Sequence, residues 1–224
     1  MHKVTLPEEL RQRLEQRRGA GRRHIFDTIE AEKTALLVVD MQNFFLDVVE
    51  TARGIVPNIN RMAGALRDAG GLVVWIRASH SETGRAAWTM FFDNFLTPEM
   101  GAEARRRLSP GHSAHELFEG LDIQAEDPII DKDRFSAFIQ GASNLEETLR
   151  AHDIDTVLVV GTNTNVCCES TARDAMMRDF KTFMVEDANA AIDDQEHIDG
   201  LRTFVQVFGD VITTEEALTL IAAS

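Results

Sequence analysis

Thr156-Val-Leu-Val-Val160-Gly161-Thr-Asn-Thr-Asn-Val-Cys167-Cys-Glu-Ser-Thr-Ala-Arg-Asp174 passes from a β-branched apolar run, through Gly, Thr and Asn, into a helical pattern. A strand that turns in this way into a helix places its first-turn residue, Cys167, beside unpaired backbone N–H groups at the positive end of a helix dipole. Such a position is expected to lower a thiol's pKa and favour nucleophilic chemistry. Two other apolar runs end on ionisable residues: Ala35-Leu-Leu-Val-Val39 leads into Asp40, and Pro128-Ile-Ile-Asp131 into Lys132. Ligands gather at the carboxyl ends of strands in open parallel sheets. The three side chains are therefore expected to converge. Taken singly, Asp40 reads equally as a loop cap, Lys132 as a solvated strand end and the cysteines as small buried hydrophobes.

Helical spacing separates the adjacent cysteines. In a helix over 166–179, Cys168 shares a face with Ala172, Ala175 and Met176, the offsets of a buried stripe. Cys167 lies about 100° further round, with Thr171, Asp174 and Arg178, on a polar face expected to open to a cleft. Cys167 is thus the candidate nucleophile and Cys168 a core residue.

Working outward, apolar runs at 34–40, 71–77, 127–131, 155–161, 181–186 and 210–213 alternate with helical patterns at 55–69, 144–152, 165–179, 194–207 and 215–222. Regular βα alternation implies an α/β domain, a parallel sheet covered on both faces. Ahead of it, residues 7–23 carry six arginines, with Leu6, Leu10 and Leu14 at intervals of four. This reads as an amphipathic helical arm outside the main fold, packed on the domain or on another subunit. The division expected is 1–33 for the arm and 34–224 for the domain. The segment 79–126 breaks the rhythm and holds Trp88, Met90, Phe91, Phe92 and Phe95; these aromatics either cover the core or wall a pocket.

The 224 residues suffice for a single α/β domain with a sizeable core. A formal net charge of -14 opposes a nucleic-acid or anionic-membrane partner, since both require a basic footprint. Two adjacent cysteines make no structural disulfide network, no apolar run approaches a membrane span, and the polar N-terminus lacks a signal-peptide core. The expectation is a soluble cytoplasmic protein.

Three blocks taken together, Val39-Asp40-Met-Gln-Asn43 with Phe45, Lys132-Asp-Arg-Phe-Ser-Ala-Phe138, and 161–174, resemble the isochorismatase-like superfamily of cysteine hydrolases. The likeness spans roughly residues 34–215 and is nearest to the ureidoacrylate and N-carbamoyl amidohydrolase branch, through Thr164-Asn-Val-Cys-Cys-Glu-Ser-Thr171. The resemblance implies a Rossmann-like three-layer α/β/α fold with a six-stranded parallel sheet. It also implies a catalytic triad of Asp40, Lys132 and Cys167, a cis peptide between Thr162 and Asn163, and an oxyanion hole from the N–H groups of Asn163 and Cys167. A homodimer or homotetramer follows from it too, with the Arg-rich arm a candidate contact. Isochorismatases that cleave a vinyl ether lack the cysteine, so Cys167 favours an amidase. Metal-dependent members carry closely spaced histidines after the second strand; here His80, His112 and His115 lack ligand spacing, and neither metal nor other cofactor is expected.

The activity expected is hydrolysis of a small carboxamide or N-carbamoyl/ureido compound through a thioester, with release of ammonia. For substrate contact the candidates are Gln42, Phe45, His80 and Trp88, with Asn43 and Phe92 behind them; Gln42 and Asn43 serve equally well as ties between loops, and His80 as a surface residue. Another hydrolytic activity and a non-catalytic binding protein on the same fold are the competing readings. Two alternatives are disfavoured: Met41-Gln-Asn-Phe-Phe45 is no glycine-rich dinucleotide loop, and the chain has no Cys-x-x-Cys.

Overall fold

A computed structural model describes residues 1–19 and 21–224. Six parallel strands form one sheet: β1 (Thr34–Val39), β2 (Leu72–Ala78), β3 (Ile129–Lys132), β4 (Thr156–Thr162), β5 (Lys181–Ala190) and β6 (Asp210–Ile212), in spatial order β3-β2-β1-β4-β5-β6. The chain winds outward from β1 through β2 to β3, then returns to lay β4 on the other side of β1. The order thus reverses between β1 and β4, and their carboxyl ends flank the crevice that such a reversal opens.

Every residue of β1 and β4 is buried, as befits central strands covered on both faces. The period of two sorts them: Ala35, Leu37, Val39, Val157 and Val159 face one core, and Leu36, Val38, Leu158 and Val160 the other. The first core is closed by α6 (Leu145–Ala151), α7 (Glu169–Met176) and α8 (Asp194–Val207), and the second by α3 (Val56–Asp68) and α9 (Thr214–Ala222). At the edge, β3 alternates exposed Ile129 and Asp131 with buried Ile130 and Lys132, so the pleat itself turns Lys132 inward.

The N-terminal helix α1 (Glu8–Arg18) packs on the domain, one of the two placements expected of it, but as part of the core rather than as an arm outside the main fold. Leu6, Leu10 and Leu14 pack into the same core as Leu37 and Val159. Arg18 pairs with the buried Asp210 at 2.9 Å and Arg11 with Glu186 at 3.1 Å. Ile25 and Phe26 donate their backbone N–H groups to Asp210 as well. Arginine spacing alone suggests a solvated face; its partners lie far away in sequence. No helix among the described residues is long and apolar enough to cross a membrane.

The turn after β4 departs from the regular helix expected from Val166. Thr164–Cys168 is a π-turn, and only then does α7 begin; it ends at Met176, three residues earlier than the spacing implied. One extra residue per turn shifts the helix face, a form often found at functional sites. Cys168, Ala172 and Ala175 are buried as expected. Met176, placed by spacing in that stripe, is 38% exposed, whereas Thr171, placed on the open face, is fully buried and accepts a hydrogen bond from Ala137 N.

Candidate active site

Close backbone approach comes first. Gly161 sits opposite Val39 in the β1–β4 ladder with φ 115°, and a Cβ there would lie 2.1 Å from the Val39 carbonyl oxygen. Only glycine tolerates both demands. The peptide Thr162–Asn163 is cis. Asp40, directly after β1, takes the left-handed conformation at φ 52°, which Asp adopts more readily than most residues. It is pinned on both sides: its N–H donates to Ile76 O at 2.9 Å, and its carbonyl accepts from Thr162 Oγ1 at 2.8 Å.

These constraints bring Asp40, Lys132 and Cys167 together. Lys132 Nζ lies 2.8 Å from Asp40 Oδ2 and donates also to Arg134 O at 3.1 Å. The Cys167 thiol lies close enough to both Asp40 and Lys132 for each to shift its titration. Asp40 Oδ1 is buried with no hydrogen-bond partner among the described residues. It is therefore the oxygen open to a proton from its surroundings.

Electrostatics correct one expectation. Burial, reinforced by the Asp40 carboxylate, pushes the Cys167 thiol well above its usual pKa, and Lys132 opposes this only in part. The helix-terminus effect is outweighed, because a thiolate here loses its hydration and faces a neighbouring anion. Cys167 rests as a thiol and needs a base. Burial pulls Lys132 down, yet the Asp40 carboxylate beside it more than compensates, and the ammonium is held above its ordinary pKa.

Cys167, Lys132 and Asn163 border a cavity of about 400 Å³. Its phenylalanine and tryptophan rings come from three separate segments. Phe44 and Phe45 belong to α2 (Asn43–Val48); Trp88, Phe91 and Phe92 surround α4 (Thr89–Phe92); Phe135 follows β3. Of the aromatic insertion, Trp88, Phe91 and Phe92 accordingly wall the pocket, Phe92 being buried as well, while Met90 and Phe95 are exposed away from it. His80 borders the cavity and is only 6% exposed, which sets aside its reading as a surface residue. Its Nδ1 lies 3.1 Å from Ala86 O, an acceptor, so Nδ1 carries the proton. Burial keeps the ring neutral, with its pKa down at about 4.

Phe45 and Trp88 border the cavity; Gln42 does not. The Gln42 amide is fully buried, donating to Ala78 O and His115 O and accepting from Ala78 N. It ties loops together, and every donor and acceptor it offers here is spent on backbone rather than substrate. Asn43 likewise donates to Ser113 O. Residues that spacing did not single out, Arg134 and Phe135 above all, stand two and three places after Lys132, and that proximity was the available signal. Among the described residues there is no group of three or more His, Cys, Asp or Glu side chains placed to hold a metal ion.

The fold and sequence have counterparts among known proteins. The chain is 33% identical to the ureidoacrylate amidohydrolase RutB of Variovorax paradoxus, over 71% of this chain and 69% of that protein. It is also 33% identical to a protein of Arabidopsis thaliana named a probable inactive nicotinamidase, over 73% and 84% of the two chains. Its fold superposes on the crystal structure of a cysteine hydrolase from Pseudomonas syringae pv. phaseolicola with a TM-score of 0.79 and 32% identity, covering 89% of this chain and 97% of that one. The isochorismatase domain profile matches residues 34–216, from the first residue of β1 into α9, and by that span the chain belongs to the isochorismatase family of hydrolases.

Proposed function

We propose that this hydrolase cleaves the C–N bond of a small carboxamide or N-carbamoyl/ureido compound, with Cys167 as nucleophile. The observation that carries the reading is a buried thiol beside a carboxylate oxygen with no partner, at the floor of a cavity. The resemblance to the ureidoacrylate amidohydrolase supports the substrate class.

In this mechanism Asp40 Oδ1 takes the thiol proton while Sγ bonds to the amide carbon. The carbonyl oxygen becomes an oxyanion, received by the backbone N–H groups of Asn163 and Cys167, each donor worth about 3 kcal/mol. Asp40 passes its proton to the departing nitrogen, the C–N bond breaks, ammonia leaves and a thioester remains. Water then gives a proton to Asp40 and its oxygen to the carbonyl carbon. The C–S bond breaks and the thiolate recovers its proton. The sum is amide plus water giving acid plus ammonia. Lys132 stays protonated throughout and offsets the negative charge that accumulates between carboxylate and sulfur.

Ammonia release from a panel of carboxamides and ureido compounds tests the reading. The unaltered chain should release ammonia and Cys167→Ala should not, while Cys168→Ala keeps turnover. Reversible thermal stabilisation by the same compounds without ammonia favours instead a non-catalytic binding protein, the possibility raised by a relative named probable inactive.

A further inference from the structure

Cavity size and lining go further than the reaction type. Three segments distant in sequence each contribute aromatic rings to the cavity, and the rings of two of them interlock. Phe135 meets Trp88 edge-on at 4.6 Å and Phe91 at 5.1 Å, while Phe92 meets His80 at 4.8 Å. Trp88 holds the left-handed conformation at φ 37°, a backbone state rare for a bulky residue. Its ring is fixed on one side by the Arg134 guanidinium, 5.0 Å from the ring centre. The wall is preformed.

Most of the charge in the cavity is already paired. Lys132 is bound to Asp40 at 2.8 Å. Arg134 Nη1 donates to Asp133 O at 2.6 Å and faces Asp133 Oδ1 at 3.4 Å, and its flat face lies on Trp88. Asp133 takes a second cation, Arg85, at 3.0 Å. His80 spends its Nδ1 proton on Ala86 O. Arg134 keeps donors to spare, since its Nε and Nη2 have no acceptor among the described residues and Asp133 is shared between two guanidinium groups; the cavity wall away from Cys167 is otherwise mostly hydrocarbon.

Volume points the same way. About 400 Å³ lies in the range of cavities that enclose whole ligands, ~300–1,000 Å³, far beyond the needs of a bare carboxamide head. We infer that the substrate is a primary amide whose acyl part is an aromatic or comparably bulky hydrocarbon body, seated among Phe45, Trp88, Phe91, Phe92 and Phe135 with its carboxamide over Cys167. The inference rests on the hydrolytic role given to Cys167, and its test keeps the two apart.

Three probes separate the possibilities: phenylacetamide, acetamide and the anion ureidoacetate. Calorimetric titration of Cys167→Ala should show phenylacetamide binding about a hundredfold more tightly than either of the others, from burial of its ring. Steady-state kcat/KM of the unaltered chain should rank the same way. In Phe45→Ala and Trp88→Ala the phenylacetamide-to-acetamide ratio should fall about tenfold each, as expected for loss of an aromatic contact; a purely structural role lowers both substrates alike and counts against the inference. Equal or tighter binding of acetamide or ureidoacetate overturns it, as does a higher kcat/KM for either. Selective binding of phenylacetamide by Cys167→Ala, with no ammonia released from any probe by the unaltered chain, upholds the aromatic preference and defeats the hydrolytic role.

Discussion

Asp40 and Lys132 form an ion pair with both side chains essentially shut away from water. Such a pair adds little net stability, but removing one member strands the other charge at a cost of about 3–5 kcal/mol. Asp40→Asn should therefore lower the urea unfolding free energy by that order and depress turnover by about 10²–10⁴-fold. Lys132→Met should be destabilising too, and the double variant Asp40→Asn/Lys132→Met should be more stable than the sum of the two losses by about 1–3 kcal/mol. Strict additivity in urea denaturation contradicts the pairing. Cys167 shows where residue-level reading stops. Its place beside Asp40 and Lys132 was legible from three strand ends, but the sign of its pKa shift was not: a helix terminus is visible in a sequence, whereas the desolvation that outweighs it is set by burial of the thiol and its distant partners.

At the scale of elements, the β1–β4 contact makes the sharpest demand. Gly161→Ala should cost at least about 3 kcal/mol, because the added methyl meets the Val39 carbonyl in a backbone region hostile to side chains. Gly64→Ala in α3 is the matched control: an added Cβ there meets nothing within 4 Å, and the change should be neutral or stabilising by up to about 1 kcal/mol. Equal midpoints for the two variants in urea contradict the close-approach argument. The six strands were readable because continuous apolar runs between turn signals leave little alternative. The π-turn was not, since no residue type marks an extra residue in a helical turn; hence the misplacement of Thr171 and Met176. The seat of α1 escaped for a related reason: Leu6, Leu10 and Leu14 announce an apolar face, enough to expect docking, without naming Val159 or Asp210 as what lies beneath.

For the whole molecule, buried neutral histidines tie stability to pH. His80 and His197 have pKa values lowered by burial to about 4 and about 3. Lys132, Arg134 and His115 also disfavour charge on His80, and His2, stacked 4.2 Å from His197, disfavours it there, with Asp194 opposing. The unfolded chain protonates both near 6.5, so below that pH it binds more protons than the fold and stability declines as pH falls, until the folded-state values are reached. By pH 5 each histidine should have removed about 2 kcal/mol relative to pH 7.5. Urea midpoints at the two pH values check this; an unchanged midpoint contradicts it.

The molecule as a whole places a thiol, a carboxylate and an ammonium at the strand-order reversal, beneath an aromatic cavity. That arrangement is read here as covalent chemistry on Cys167. Intact-mass spectrometry of the chain, quenched in acid within its first turnovers of an amide, examines the claim directly. The account predicts one acyl group per chain, mapped to Cys167 by peptide analysis and absent from Cys167→Ala. Ammonia release with no acyl group ever on Cys167, or an adduct that maps to Cys168, contradicts it.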